Sequence, residues 1–326
     1  MIPMAPLPPP ADFAVVVPVY FNADSLLPAY EKLKEQIRSL RPRLRGSLIY
    51  VDDGSGDNSF SVLREIQAKG DLPVSILKLS RNFGQVMAIR AGIDHCPCAA
   101  AIVMSADGQE PPSLISQMLS EHFSNGKEVV ICSRANREES AYRTWTSRLF
   151  YGLMRRLCFR DMPLGGFDCF LLGPAAQNAF RRESELQPFL QGQILRLGFS
   201  RAFVSYTRLK REFGRSRWTL GKKVAYFFDG LMNYSFFPIR AVSYLGMALA
   251  LLGLVYAAVV LVAKLVVGNP VKGWTPLMIV VLVLGGAQML TLGVFGEYLW
   301  RILVQVQRRS PYVVEEILPP SSPPAP

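Results

Sequence analysis

From Phe13 to Ser133, short apolar runs alternate with longer segments of helical period. The runs are FAVVVPV (13–19), SLIYVDD (47–53), VSILKLS (74–80), AAIVMSAD (100–107) and EVVICS (128–133). They are rich in β-branched residues and show little polar alternation, as strands do when helices cover both faces of their sheet. This βαβ order predicts an α/β domain with a Rossmann-like, mostly parallel sheet and helices on both faces. Ligands of such sheets sit beyond the carboxyl ends of the strands.

The pattern changes after Arg240. Arg240 and Lys264 bracket an uncharged run, and Lys272 and Glu297 bracket another. Each is longer than the ~20 apolar residues that cross a bilayer core, which predicts spans at about 241–263 and 273–296. A pair of buried soluble helices is the alternative, disfavoured by the length of the runs. Gly268, Asn269 and Pro270 form a turn between them, so 239–300 reads as a transmembrane hairpin with both outer ends on one side. Those ends carry Lys222, Lys223, Arg240, Arg301, Arg308 and Arg309, against Lys264 and Lys272 in the connector, and the excess of positive charge assigns them to the cytoplasm. Within 218–238, Leu220, Val224, Phe227, Phe228 and Leu231 share one helical face while Lys222, Lys223, Asp229 and Asn233 hold polar positions. That pattern fits a helix lying in the membrane interface, and equally one packed on the globular domain. The Pro-rich head (1–11) and the end of the 301–326 tail are expected to fray, which leaves 12–217 as the globular domain.

Composition narrows the partners. The chain has 326 residues, half of them apolar, and a formal charge of +11 from 36 Lys and Arg against 25 Asp and Glu. A disordered chain is excluded, and a polyanionic partner is indicated: nucleic acid, phosphorylated substrate or anionic lipid. The basic residues cluster beside the apolar spans and no nucleic-acid module is present, which argues against nucleic acid. Five cysteines in no metal-binding spacing read as reduced core residues. The first residues lack the basic and apolar regions of a secretory signal, so the globular part is expected to stay cytoplasmic. His95 and His122 are isolated, and are expected to face solvent rather than bind a metal.

Chemistry-bearing residues collect at the predicted strand ends. Pro18 and Tyr20 follow the first run, Asp52 and Asp53 open VDDGSGDNS (51–59), and Ser105, Asp107, Gln109 and Glu110 follow the fourth run. A carboxylate at such a rim can accept hydrogen bonds from a base or ribose; in a turn it can also simply cap the next helix. Asp107 and Gln109 offer hard oxygens of the kind Mg2+ or Mn2+ takes, although one carboxylate alone is a poor cage and a substrate diphosphate must complete it. Arg134, Arg143, Arg148, Arg155 and Arg156 crowd the segment after the fifth run, and guanidinium forks match phosphate oxygens. Arg155 and Arg156 read as a solvated basic face.

Taken together, PVY (18–20), VDDGSGDNS, LSRNFGQ (79–85) and ADGQEPP (106–112) resemble the nucleotide-sugar half of inverting family-two glycosyltransferases with the GT-A fold. With the paired spans, GEYLWR (296–301) and RRSPYVV (308–314), the chain resembles the polyprenyl-phosphate glycosyltransferases, relatives of dolichol-phosphate-mannose synthase, from about Asp12 to Val314. The resemblance implies that Pro18, Tyr20 and Asp52, with neighbouring Asp53, line the nucleoside, that Arg81 faces the donor diphosphate, and that Asp107 and Gln109 hold Mg2+ or Mn2+. Ser105 stands where many relatives have the first carboxylate of Asp-x-Asp. Arg134 and the Arg143/Ser147 pair match acceptor-phosphate positions, as do Arg211 and Arg217 in KREFGRSRW (210–218). Asp168, in GGFDCFLL (165–172), would orient a sugar hydroxyl or the acceptor, or else cap a turn. The implied activity is metal-dependent, inverting hexosyl transfer from a nucleotide-diphosphate sugar, expected to be a UDP-sugar, to undecaprenyl-type polyprenyl phosphate. It would take place at the cytoplasmic face of the cell membrane, with the lipid bilayer as a partner and a homo-oligomer compatible. A processive polysaccharide synthase fits less well, because Gly214 falls where Gln-x-x-Arg-Trp needs its glutamine and only two spans are present. A non-catalytic membrane scaffold or lipid-binding module of the same fold is the reading that Ser105 encourages.

Overall fold

The computed structural model describes residues 11–136, 152–163, 165–183, 189–209, 221, 229–267, 274–307 and 309–320. The chain divides into two units, one running to Phe227 and resuming at Ser310, the other spanning Phe228–Arg309.

The first unit is built on one eight-stranded sheet: β1 (Phe13–Val19), β2 (Gly46–Asp52), β3 (Val74–Leu79), β4 (Ala100–Val103), β5 (Val129–Asn136), β6 (Phe170–Leu172), β7 (Arg201–Thr207) and β8 (Val314–Leu318). Their order is β7-β5-β6-β4-β1-β2-β3-β8. β1 pairs in parallel with β2 and β4, β2 with β3, and β5 with β7; β6 and β8 run antiparallel to their neighbours. Helices α1 (Ala23–Ser39), α2 (Ser59–Ala68), α3 (Gln85–Asp94), α4 (Leu114–Phe123), α5 (Pro174–Arg182) and α6 (Leu190–Arg196) accompany it on both faces, a GT-A-like arrangement.

Why the strands lack polar alternation is visible in β1. Val15, Val17 and Val19 join a core cluster with Leu26, Tyr30 and Ile37 of α1. Val16, on the opposite face, is equally buried and meets α3. The approach there is so close that a Cβ on Gly92 would stand 2.3 Å from Val16 Cγ1, so only glycine fits. Each such valine contributes about 1.5–3 kcal/mol by leaving water, and both pleat faces contribute.

Three strands were not legible in the hydrophobic pattern. β6 has three residues, too short for a period. β7 is an edge strand with six of its seven residues partly or fully exposed, all but Tyr206, alternating in no clean register. β8 lies in the segment that sequence reading leaves as a tail; its Glu315 and Glu316 disguise it, yet Lys78 Nζ meets Glu315 at 3.0 Å and Ser80 N donates to Val313 O at 3.0 Å. Charged side chains on an outermost strand discourage further pairing.

The second unit contains α7 (Phe237–Val267) and α8 (Trp274–Val306), which contact each other. Both are long and apolar enough to cross a bilayer, and their apolar windows are not covered by protein. α8 runs past the predicted end of its span, through Glu297 and Arg301. Those charges are mutually satisfied: Arg301 donates to Glu297 Oε1 at 2.8 Å, Asp229 Oδ1 at 3.0 Å and Asn233 Oδ1 at 2.9 Å. Of the predicted interfacial helix, 229–234 are helical and most of 218–228 lie outside the described residues.

The cysteines are free thiols, four of them buried, as expected of core residues. His122 departs from expectation: it is buried, with Nδ1 2.7 Å from Lys127 O, because the chain turns back beneath the end of α4. His95 is half-buried, with Nδ1 2.8 Å from Ala91 O.

Candidate functional site at the carboxyl rim of the sheet

At the β1–β2 end, Tyr20 packs edge-on against Phe21 with ring centroids 4.7 Å apart, and Pro18 is half-buried beside it. Asp52 is fully buried. Its Oδ1 accepts Ser55 N–H at 3.3 Å, while its Oδ2 has no hydrogen-bond partner among the described residues. Burial raises its carboxyl above the ordinary range. A buried, unpaired carboxylate oxygen is costly, and a ligand donor at this rim is what would relieve it.

Asp53 is tied into the backbone of a neighbouring turn. It accepts Phe83 N–H at 2.7 Å and Gly84 N–H at 3.0 Å, and so ties the turn after β3 to the end of β2. Burial pushes its carboxyl up to about 6, with the two amide donors pulling the other way. Gly54 makes the closeness feasible: its φ is +65°, and a Cβ there would lie 2.5 Å from the Arg81 carbonyl carbon. Arg81 itself is exposed and stacks over the Phe83 ring at 4.4 Å.

The loop after β4 is a hydrogen-bonded cluster. Ser105 Oγ lies 2.6 Å from Asp107 Oδ1 and also contacts Glu110 Oε2, while Ser105 N donates to Glu110 at 3.1 Å. Asp107 Oδ1 also accepts Gln109 N–H at 3.2 Å. Glu110 is 3% exposed, its Oε1 has no hydrogen-bond partner among the described residues, and its carboxyl is raised by burial and by the charges of Asp107 and Asp168. The loop is latched to the end of β7: Leu209 N donates to Gln109 O at 3.0 Å, and Gln109 Nε2 donates to Leu209 O at 3.2 Å. The latch carries Arg208, whose Nη2 is 3.9 Å from Asp107 Oδ2.

The same region receives Arg134 and Asp168. Antiparallel β6 enters at this rim, so the residues before Phe170 arrive beside the ends of β4 and β5. Arg134, its side chain 10% exposed, pairs closely with Asp168 and hydrogen-bonds Tyr206 of β7. Burial, with Glu110 nearby, raises the Tyr206 hydroxyl.

Of the residues singled out in the sequence, Ser105, Asp107, Gln109, Arg134 and Asp168 therefore gather with Glu110. Pro18, Tyr20, Asp52, Asp53 and Arg81 belong to the neighbouring strand ends. Arg143, Ser147, Arg211 and Arg217 lie outside the described residues. Arg155 and Arg156 are exposed, as expected of a solvated face. Tyr206 and Arg208 escaped notice because β7 gave no strand signal that would have placed its end on this rim; Glu110 was seen on the rim, but not its contact with Ser105.

The oxygen set suits a hard divalent cation in part. Asp107 and the Gln109 carboxamide supply two oxygen donors, and among the described residues no group of three or more His, Cys, Asp or Glu could hold a metal alone. A cation there needs a further anionic ligand.

Comparison with known proteins shows the family. Residues 14–182 match the family model described as "Glycosyl transferase family 2". An uncharacterized glycosyltransferase of Bacillus subtilis is 33% identical over 93% of both chains. Another from Synechocystis is 31% identical over 94% of this chain and 95% of that one. A prophage-derived bactoprenol glucosyl transferase of Shigella flexneri is 29% identical over 93% of this chain and 97% of that one. The chain belongs to glycosyltransferase family 2.

Proposed function

We propose that this glycosyltransferase moves a sugar from a nucleotide-diphosphate donor onto polyprenyl phosphate, with inversion at the anomeric carbon. The observation that carries the reading is the presence, in one chain, of a rim bearing Asp52, Asp107 and Arg134 and of two helices of membrane length. Relatives named bactoprenol glucosyl transferases, similar along nearly their whole length, support the lipid acceptor.

In this reading Pro18, Tyr20 and Asp52 hold the nucleoside, with Asp52 Oδ2 accepting a donor from base or ribose. Asp53 acts indirectly, by fixing the turn that presents Arg81 to the diphosphate. Asp107 and Gln109 would hold Mg2+ or Mn2+ together with that diphosphate, and Ser105 keeps Asp107 in place. The cation supplies charge neutralisation for the departing nucleoside diphosphate. Arg134, with Arg143, Ser147, Arg211 and Arg217, holds the acceptor phosphate. Asp168 fixes the Arg134 guanidinium and, being only partly buried, can also meet a sugar hydroxyl.

An acceptor phosphate monoester has a second pKa of ~6, so at neutral pH it is mostly dianionic and requires no strong general base. What the protein supplies is alignment and charge stabilisation. Direct displacement by the phosphate oxygen inverts the anomeric centre. The two apolar helices keep the enzyme at a bilayer, with the rim on the cytoplasmic side of the cell membrane, where a water-insoluble acceptor exposes its phosphate.

The test is transfer itself. Membranes containing the protein are incubated with polyprenyl phosphate, Mg2+ or Mn2+ and a panel of labelled nucleotide sugars. One sugar should enter the lipid fraction, only with divalent cation present, and Asp107→Ala should abolish it. Absence of label from every donor overturns the proposal.

A further inference from the structure

Arg208 stands beside the candidate cation-binding carboxylate, at a position to which the sequence motifs assign no role. Its backbone is fixed, because the next residue exchanges two hydrogen bonds with Gln109, at 3.0 and 3.2 Å. Its side chain is held much more loosely. The Nη2 to Asp107 Oδ2 distance of 3.9 Å is an electrostatic contact rather than a hydrogen bond, and the buried Nε has no hydrogen-bond partner among the described residues. Asp107 meanwhile turns Oδ1 inward, to Ser105 Oγ and Gln109 N–H. Its other oxygen, Oδ2, is the one suited to a cation, and it is the oxygen Arg208 faces.

A divalent ion at carboxylate contact distance and a guanidinium beside the same oxygen repel each other unless an anion lies between them. Ser105 adds no charge to offset this, so the Arg208 guanidinium weakens the attraction of Asp107 Oδ2 for a free cation. A nucleoside diphosphate changes the balance, because its oxygens can ligate the ion and accept from the guanidinium at once.

We propose that Arg208 is the exchangeable counter-ion of Asp107: it neutralises the carboxylate in the empty site and turns to the diphosphate when a cation and nucleotide arrive, so that the two bind cooperatively. The inference rests on the donor and cation reading given above. It makes Arg208 a donor-binding residue that sets the order and cooperativity of loading. Reciprocity requires the factor by which nucleotide strengthens cation binding to equal the factor by which cation strengthens nucleotide binding.

The experiment titrates full-length protein in detergent with Mn2+, following free Mn2+ by electron paramagnetic resonance. It is done without nucleotide and with saturating UDP or GDP, whichever the wild type binds more tightly. Wild type should bind Mn2+ weakly alone and more tightly with nucleotide. Arg208→Ala should tighten Mn2+ binding without nucleotide by about three- to fivefold, the scale of one partly exposed ion pair, and should reduce the nucleotide-dependent gain. Arg208→Gln keeps the length and polarity of the side chain and should behave alike, which guards against a folding defect of the alanine variant. Unchanged cooperativity in the variants overturns the counter-ion role and leaves the donor and cation reading standing. A wild type that binds Mn2+ neither alone nor with nucleotide overturns both.

Discussion

Replacing Asp53 by asparagine removes a charge and almost no volume, and it separates the turn-holding role of this residue from direct ligand contact. In the wild type two backbone amides, Phe83 N–H and Gly84 N–H, converge on the two carboxylate oxygens. Asparagine can accept only one of them; its amide group then opposes the other donor. An unpaired buried N–H costs about 1–3 kcal/mol. If the turn carrying Arg81 must be closed for the donor to bind, ~2 kcal/mol is ~30-fold in affinity. The pH dependence sharpens the test. With a carboxyl at about 6, protonation below that value turns an acceptor into a donor, so donor affinity of the wild type should fall as pH drops through 6. Asp53→Asn should be weak and flat across the same window. Stability runs the other way: the folded carboxyl lies above its ordinary value, so its contribution is fully present below that ordinary range and is lost as pH rises through about 6. Donor binding by isothermal titration calorimetry between pH 5 and 8 decides the matter. An asparagine variant that binds as tightly as wild type, or keeps the acidic limb, refutes the turn-holding role.

Three further outcomes follow from the packing and the rim. Gly92→Ala should destabilise the globular unit by about 1–3 kcal/mol, because the added methyl meets buried Val16 at 2.3 Å; denaturant titration followed by tryptophan fluorescence reads this directly, and an unchanged midpoint contradicts it. Ser105→Ala should cost about 1–3 kcal/mol by removing the hydroxyl shared by Asp107 and buried Glu110; thermal unfolding measures the loss, and an unshifted transition would count against the bridge. Arg134→Lys should lower kcat/KM for the lipid acceptor about tenfold without weakening donor binding, since an ammonium cannot replace a fork that meets Asp168, Tyr206 and a phosphate together; equal loss for both substrates would place Arg134 elsewhere.

The sequence disclosed the donor half of the molecule because that half obeys simple periodicity. Strands β1 to β5 are buried on both faces, so their apolar runs stand out, and Asp52, Asp107 and Arg134 sit at or just beyond the ends of such runs. The apolar helices were equally plain, since nothing but length and absence of charge was needed. What escaped notice depended on contacts between distant segments. β8 reads as an acidic stretch until Lys78 and Ser80 are brought beside it. The convergence of the Phe83 and Gly84 amides on Asp53 joins two turns some thirty positions apart, which no local pattern reveals. Arg208 has no motif of its own; its interest comes from a latch with Gln109 about a hundred positions earlier in the chain.

The most direct test of the central claim is mass spectrometry of the lipid product. Purified protein in lipid nanodiscs, given polyprenyl phosphate, divalent cation and the matching nucleotide sugar, should yield the acceptor heavier by a single glycosyl residue, and no such species with Asp107→Ala. A lipid fraction carrying only unmodified acceptor, or a ladder of several sugars per lipid, would contradict it.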